Sequence, residues 1–180
     1  MNKPPDSGCR TRAAALVLAL LAAALGNPAG AASSEPTRIA VFDFELDDVS
    51  AAGAASQSDT EGDMARMQAV TAEARRVLVQ SGRYRLVETD AAEGEAVKGG
   101  SLRNCNGCDA PIALKLGAEQ SLIGVITRVA KTEYYASLQI TDTRTGKVIN
   151  QQSAFFTGAD DAWASGVRLL LKHGVLEPAP

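Results

Sequence analysis

The 180-residue chain has one histidine, His173, and lacks the short patterns that mark common catalytic sites. It contains no Gly-x-Ser-x-Gly, no His-Glu-x-x-His, no P-loop and no Gly-x-Gly-x-x-Gly. Serine-hydrolase, zinc-protease, nucleotide-triphosphate and dinucleotide readings therefore have no motif to start from. No internal repeat is found, which removes solenoids and propellers. Basic residues are not in excess: 18 Lys and Arg stand against 21 Asp and Glu. Nucleic acid and anionic lipid both select a basic face, so neither is expected as a partner. The longest apolar run, Ala13 to Leu25, has 13 residues. As a helix it falls well short of a hydrocarbon core of about 30 Å.

That run lies in the stretch that says most about the chain. Lys3, Arg10 and Arg12 precede it, Gly26-Asn27-Pro28 break it, and Ala29-Gly30-Ala31 supplies the small–x–small pattern of a signal-peptidase site. Residues 1–32 are expected to be a secretory signal peptide cleaved near Ala31–Ser33, with 33–180 a single globular domain. Arg10-Thr11-Arg12 is not a twin-arginine pair, which favours export of the unfolded chain. Cys9 precedes the apolar run and Asn27 follows it, so no lipid anchor and no membrane insertion after cleavage are expected. Without the signal, 15 basic and 20 acidic residues remain, a net −5, with Cys105 and Cys108 as the two cysteines. An oxidising space, a bacterial periplasm, is the expected compartment. The remaining ~150 residues suffice for a core without help from metals.

The hydropathy pattern predicts a mixed sheet. Thr37 to Leu46 is apolar on both alternating faces, Ile39 and Val41 on one, Ala40, Phe42 and Phe44 on the other, as in a covered central strand. Asp47 to Asp63 reads as a mobile loop. Met64 to Ser81 has the helical stripe Met67, Val70, Ala74, Val77, Leu78, closed by Gly82. Tyr84 to Thr89 is a second strand, parallel to the first across the helix. Ala91 to Arg103 is ambiguous, with room for a short helix before a Gly99-Gly100 loop. Pro111 opens a short helix to Leu116, with Asp109 as N-cap and Gly117 as stop. Ser121 to Val129 is a strand, and Glu133–Thr141 with Lys147–Thr157 forms a hairpin about Asp142 to Gly146. Asp160 or Asp161 caps a last helix with the buried stripe Trp163, Val167, Leu170, Leu171, and Glu177 to Pro180 is a frayed tail. The fold class is α/β (α+β), with about five strands in the order β-α-β-α-β-β-β-α and helices packed on the sheet.

Cys105-Asn-Gly-Cys108 admits several readings. Haem attachment requires His after the second cysteine, where Asp109 stands. Zinc would have two thiolates and distant His173, one ligand short of a closed site. A redox dithiol places its first cysteine at a helix N-terminus directly after a strand, whereas a polar, Gly-rich segment precedes Cys105. A structural disulfide closing a four-residue turn, with Gly107 supplying the unusual backbone angle, is the simplest reading. The acidic residues Asp43, Glu45, Asp47, Asp48, Asp59, Glu61 and Asp63 could gather about Ca²⁺, but Asp59-Thr-Glu61-Gly62-Asp63 does not follow the EF-hand spacing, and a solvated loop is expected. His173 reads as a favourable charge at a helix C-terminus. Phe155, Phe156 and Trp163 are candidates for an exposed partner patch or for core packing.

Six segments together carry a resemblance: Ile-Ala-Val-Phe-Asp-Phe at 39–44, Gly-Arg-Tyr-Arg-Leu-Val at 82–87, Cys-Asn-Gly-Cys-Asp-Ala-Pro-Ile-Ala-Leu-Lys-Leu-Gly-Ala-Glu at 105–119, Ile-Gly-Val-Ile-Thr-Arg-Val at 123–129, Thr-Asp-Thr-Arg-Thr-Gly at 141–146 and Gly-x-x-Asp-x-Trp at 158–163. In this order they resemble an uncharacterised family of exported proteobacterial proteins. The chain is more distantly similar to the amino-terminal domain of TolB and to CsgG-type periplasmic domains. The resemblance implies an envelope protein–protein interaction module and supplies no catalytic residue. It has no lipobox cysteine, unlike many CsgG-type relatives.

The sequence therefore leads to a soluble, non-enzymatic periplasmic accessory or interaction domain without cofactor or metal, whose partner is an unidentified envelope protein. Phe155 and Phe156 form its candidate partner surface, and Cys105 and Cys108 a disulfide. The rivals are a small thiol–disulfide oxidoreductase using those cysteines and a protein that binds a metal or small ligand.

Overall fold

The apolar run near the start of the described chain forms two strands rather than one. In the computed structural model, which describes residues 35–55, 60–92, 97, 99, 101–159 and 162–177, β1 spans Thr37–Val41 and β2 spans Glu45–Asp48. Both pair in parallel with the same neighbour, β4 (Gln120–Ala130): Val41 lies opposite Leu122, and Glu45 opposite Val125. Three residues, Phe42 to Phe44, thus face two, Ile123 and Gly124. This is a one-residue bulge, and it moves every later side chain to the other face. Phe44 joins Ile39 and Val41 in the main core, whereas Ala40 and Phe42 pack on the opposite side. The expectation that Phe44 shares a face with Phe42 is corrected by that extra residue.

The bulge is held from outside the sheet. The Phe44 N–H donates to Thr71 Oγ1 at 3.0 Å, and Arg75 donates to Val41 O at 2.8 Å, to Asp43 at 3.1 Å and to Thr89 Oγ1 at 3.2 Å. Gly124 completes it: a Cβ there would stand 2.2 Å from the Phe44 ring, so only glycine lets that ring lie across β4.

After β2 come a short helix α1 (Ala51–Ala54), capped by Ser50, and the long helix α2 (Thr60–Gln80). Helix α2 begins four residues before the expected Met64, with Glu61 and Asp63 in its first turn, where the helix dipole favours acids. The segment expected as one loop, Asp47 to Asp63, is therefore largely structured where it is described; Asp59 lies outside the described residues. Strand β3 (Tyr84–Val87) pairs in parallel with β1, as the crossover requires. Leu102–Asn104 forms a 3₁₀ turn before helix α3 (Asp109–Lys115), which stops at Gly117 with φ +86°. Cys108, not Asp109, occupies the N-cap position of α3. Asp109 is fully buried and accepts a hydrogen bond from Ser121 Oγ on β4, which takes its carboxylate away from capping.

The antiparallel end is formed by β4, β5 (Glu133–Asp142) and β6 (Val148–Thr157), with Gly146 at φ +68° in the tight connection. The sheet is mixed, with six strands in the order β3-β1-β4-β5-β6 and β2 continuing β1 against β4. Helix α4 (Ala162–Leu171) and its π-helical end (Lys172–Leu176) close the chain. Trp163, Val167, Leu170 and Leu171 are its buried stripe, as the spacing predicts. The expected cap at Asp160 or Asp161, residues 178–180 of the expected tail and the expected signal, 1–32, lie outside the described residues. Helices α2 and α4 share the main core face, and α3 with the 3₁₀ turn covers β1 and the start of β4 on the other. The described residues lie within one compact unit, Ser34–Pro180. No described helix is long and apolar enough to cross a membrane.

Candidate interaction surface

Helix α3 is short: it lies mainly on β4 and touches β5. Over β6 and the rest of β5 the side of the sheet away from α2 and α4 is open among the described residues. Strand registers set three rows of side chains across this open face: Ile123, Gln139 and Gln151; Val125, Ser137 and Ser153; Thr127, Tyr135 and Phe155. None carries a charge. Antiparallel sheets with a solvent-facing side usually place charged and polar groups there; here the apolar members Tyr135 and Phe155 are 42% and 56% exposed. The Tyr135 hydroxyl lies 3.0 Å from Ser153 Oγ, and a depression of about 150 Å³ is lined by Arg103, Val125, Gln139 and Gln151 among others.

The two phenylalanines named from the sequence part company, because neighbours in a strand face opposite sides. Phe155 projects from the open face. Phe156 turns inward, stacks on Tyr134 at 5.7 Å and packs against Gly166 of α4. Trp163 is buried edge-on to Tyr134 at 5.3 Å, with the Arg128 guanidinium 5.2 Å from its ring. Tyr135 and Ile149, 48% exposed, were not singled out from the sequence, although period-two alternation along β5 points to the first and along β6 to the second.

Cys105 and Cys108 are joined, with Cα atoms 5.6 Å apart. Asn106 and Gly107 between them have φ of +51° and +95°, so both residues of the Asn-Gly turn, not glycine alone, adopt left-handed backbone. The ring ties α3 to the 3₁₀ turn, whose Leu102 N–H donates to Glu45 and whose Arg103 pairs with Glu45 at 3.0 Å and Asp47 at 3.5 Å. The turn thereby clamps β2.

The acidic residues are dispersed by arginines rather than gathered. Asp43 meets Arg75, Glu45 and Asp47 meet Arg103, and Asp48 and Asp63 share Arg128, whose pKa they push further up. Among the described residues no group of three or more His, Cys, Asp or Glu side chains could hold a metal. A crevice of about 460 Å³ opens at the carboxyl ends of β1 and β3, where open α/β sheets bind ligands. Its Asp43 and Glu45 are engaged by Arg75 and Arg103. His173 is exposed and pairs with Glu177 at 2.9 Å.

Residues 37–175 match the DUF3280 family model, described as a protein of unknown function (DUF2380). The chain belongs to that family. No curated protein matches this DUF3280 chain. Among solved structures it is similar to the LpoB C-terminal domain from Salmonella enterica, at 16% identity over 69% of this chain and 84% of that one, with a TM-score of 0.48. It is similar to lipoprotein GNA1162 from Neisseria meningitidis, at 16% identity over 78% and 94%, TM-score 0.49. It is also similar to TolB from Acinetobacter baumannii, at 13% identity over 73% of this chain but 25% of TolB, TM-score 0.46. The CsgG-type likeness rests on the sequence motifs alone.

Proposed function

We propose that the chain is an exported accessory protein of the bacterial envelope, periplasmic after cleavage, that acts by binding another protein and has no catalysis of its own. The observation that carries this reading is the open sheet face: three rows of uncharged side chains with Tyr135 and Phe155 exposed at its apolar end. Contiguous exposed surface of this kind marks binding sites, and aromatic anchors are enriched in them. The residues 1–32 pattern supports export. The Cys105–Cys108 bond serves as a buttress for the clamp on β2. The experiment places a photo-cross-linking side chain at Gln139 on the open face and, as control, at Gln68 on α2, in exporting cells. A single discrete adduct from Gln139, absent at Gln68 and lost in Tyr135→Ala with Phe155→Ala, is expected. Adducts from Gln68 alone, or protein recovered in the cytoplasm with its first 32 residues intact, would overturn the reading.

A further inference from the structure

Strand β6 is the last strand of the sheet, and no described strand pairs with its outer edge. Edge strands are normally blunted by short length, charge, proline or a bulge that turns them away. This one has 10 residues, Val-Ile-Asn-Gln-Gln-Ser-Ala-Phe-Phe-Thr, with no charge, proline or glycine. Its single register shift against β5 falls near its start, where Ile140 pairs with Asn150 and Thr141 with Val148. The bonds from Asp142 N–H to Lys147 O and from Gly158 N–H to Thr132 O fix the alternation at the two ends of the hairpin. They turn the backbone N–H and C=O groups of Gln151, Ser153 and Phe155 away from β5, into the free edge.

Exposed apolar side chains collect along the same edge: Val148 at 41%, Ile149 at 48% and Phe155 at 56%. Helix α4 adds one more. Arg168 reaches Glu73 of α2 on one flank, and Gly166 rests on Phe156. At 100° per residue, Leu169 falls on the flank away from α2, beside the free edge, and it is 57% exposed.

We propose that this edge is the interface through which two copies of the chain join into one continuous sheet, β6 antiparallel to β6. The strand is its own complement. A twofold axis normal to the sheet requires facing residues to share a side, and an axis through Gln152 sets Asn150 against Ala154 and Ile149 against Phe155 of the second copy. Gln151 and Ser153 then form the central hydrogen-bonded pairs, and no like charges oppose each other. The two Leu169 side chains approach the axis from the helix layer. The proposal goes beyond the partner-binding reading: it concerns the backbone edge of β6, and the open faces of the two copies would become one surface.

The test uses the mature full chain in sedimentation and cross-linking. The parent should sediment at twice the monomer mass. Proline at an outward N–H of an edge strand is compatible with the strand itself, so Gln151→Pro should keep the parent's circular dichroism yet sediment as a monomer. Gln151→Lys, which sets two like charges close to the axis, should do the same and keeps the test available if the proline variant does not fold. Gln152→Cys should oxidise rapidly to a covalent dimer, because facing non-bonded positions lie about 4.5 Å apart, within disulfide reach. Phe155→Cys should not, since its counterpart would lie roughly 20 Å along the strand. A parent that stays monomeric at every concentration, a dimer unaffected by both Gln151 variants, or cross-linking at Phe155→Cys in place of Gln152→Cys would overturn the proposal. Gln139 adducts that persist in monomeric Gln152→Lys, which sets two like charges on the axis from the side of the sheet away from Gln139, would leave the partner-binding reading standing, so the two fail separately.

Discussion

Removing Arg128 should show how far the arginine network governs the stability of the fold. Its side chain is 12% exposed and sits between Asp48 at 13% and Asp63 at 6%, donating to Asp48 Oδ2 at 2.8 Å and Asp63 Oδ2 at 3.0 Å. Arg128→Met keeps the aliphatic stem and deletes the charge. Breaking a buried ion pair from one side costs about 3–5 kcal/mol, because the remaining charge stays desolvated. Three retained contacts temper that figure. Asp63 keeps Arg66 at 2.8 Å, and Asp48 keeps the Ser50 hydroxyl at 2.6 Å and its N–H at 3.0 Å. Against them stands the loss of the guanidinium over Trp163, worth about 0.5–1 kcal/mol. The expected destabilisation is therefore about 3 kcal/mol, read by urea denaturation at neutral pH. Its signature is its weak dependence on salt, since buried and partly buried charges are screened much less than exposed ones. Adding Asp48→Asn and Asp63→Asn should recover most of the loss at neutral pH. A cost under about 1 kcal/mol, or one that added salt removes, would mean that the cluster behaves as a surface ion pair, and would refute the reasoning.

Three further outcomes are expected. Gly124→Ala should cost about 1–3 kcal/mol as an overpacking change, and Phe44→Leu in the same chain should recover part of it; thermal melts of the single and double variants check this. Cys105→Ser with Cys108→Ser should cost at most about 2 kcal/mol, since so small a ring removes little chain entropy, and glutathione titration of the parent should give a midpoint below about −300 mV; one near −200 mV would instead favour redox chemistry. Glu73 is held down to about 2 from its usual 4.5, first by its hydrogen bond from Arg76 and then by Arg168, with partial burial opposing. A depressed carboxylate stabilises the fold above its unfolded value, so that contribution is complete above pH 4.5 and is lost as the pH falls toward 2; Glu73→Gln should flatten that part of an acid-denaturation profile.

Local features were legible in the sequence where a local cause sufficed. The Asp142–Gly146 turn, the stripe on α4, the glycine after α2 and the parallel pairing of β1 with β3 follow from short-range chemistry and periodicity. The bulge at Phe42–Phe44 was hidden, because an extra residue leaves an apolar run looking unbroken; its determinants, Thr71, Arg75 and Gly124, come from other elements. Strand β2 reads Glu-Leu-Asp-Asp, a loop composition. It becomes a strand because Arg103 and Arg128, distant in sequence, neutralise its acids. At the open face, the sequence supplied Phe155 but paired it with Phe156, and the strand alternation separates them.

The placement of β1 has a consequence for how the chain comes into being. Its Val41 must pair with Leu122, some 80 residues later, while β5 and β6 form from adjacent segments. At typical synthesis rates of about 5–20 residues per second, the strand at the heart of the sheet emerges on the order of ten seconds before its last neighbour exists. During that interval Ile39, Val41, Phe42 and Phe44 have no finished sheet to enter, and the rate-limiting event should be capture of β1 by a preformed β4–β5–β6 meander. The earliest part of the domain to be made is then the last to be locked.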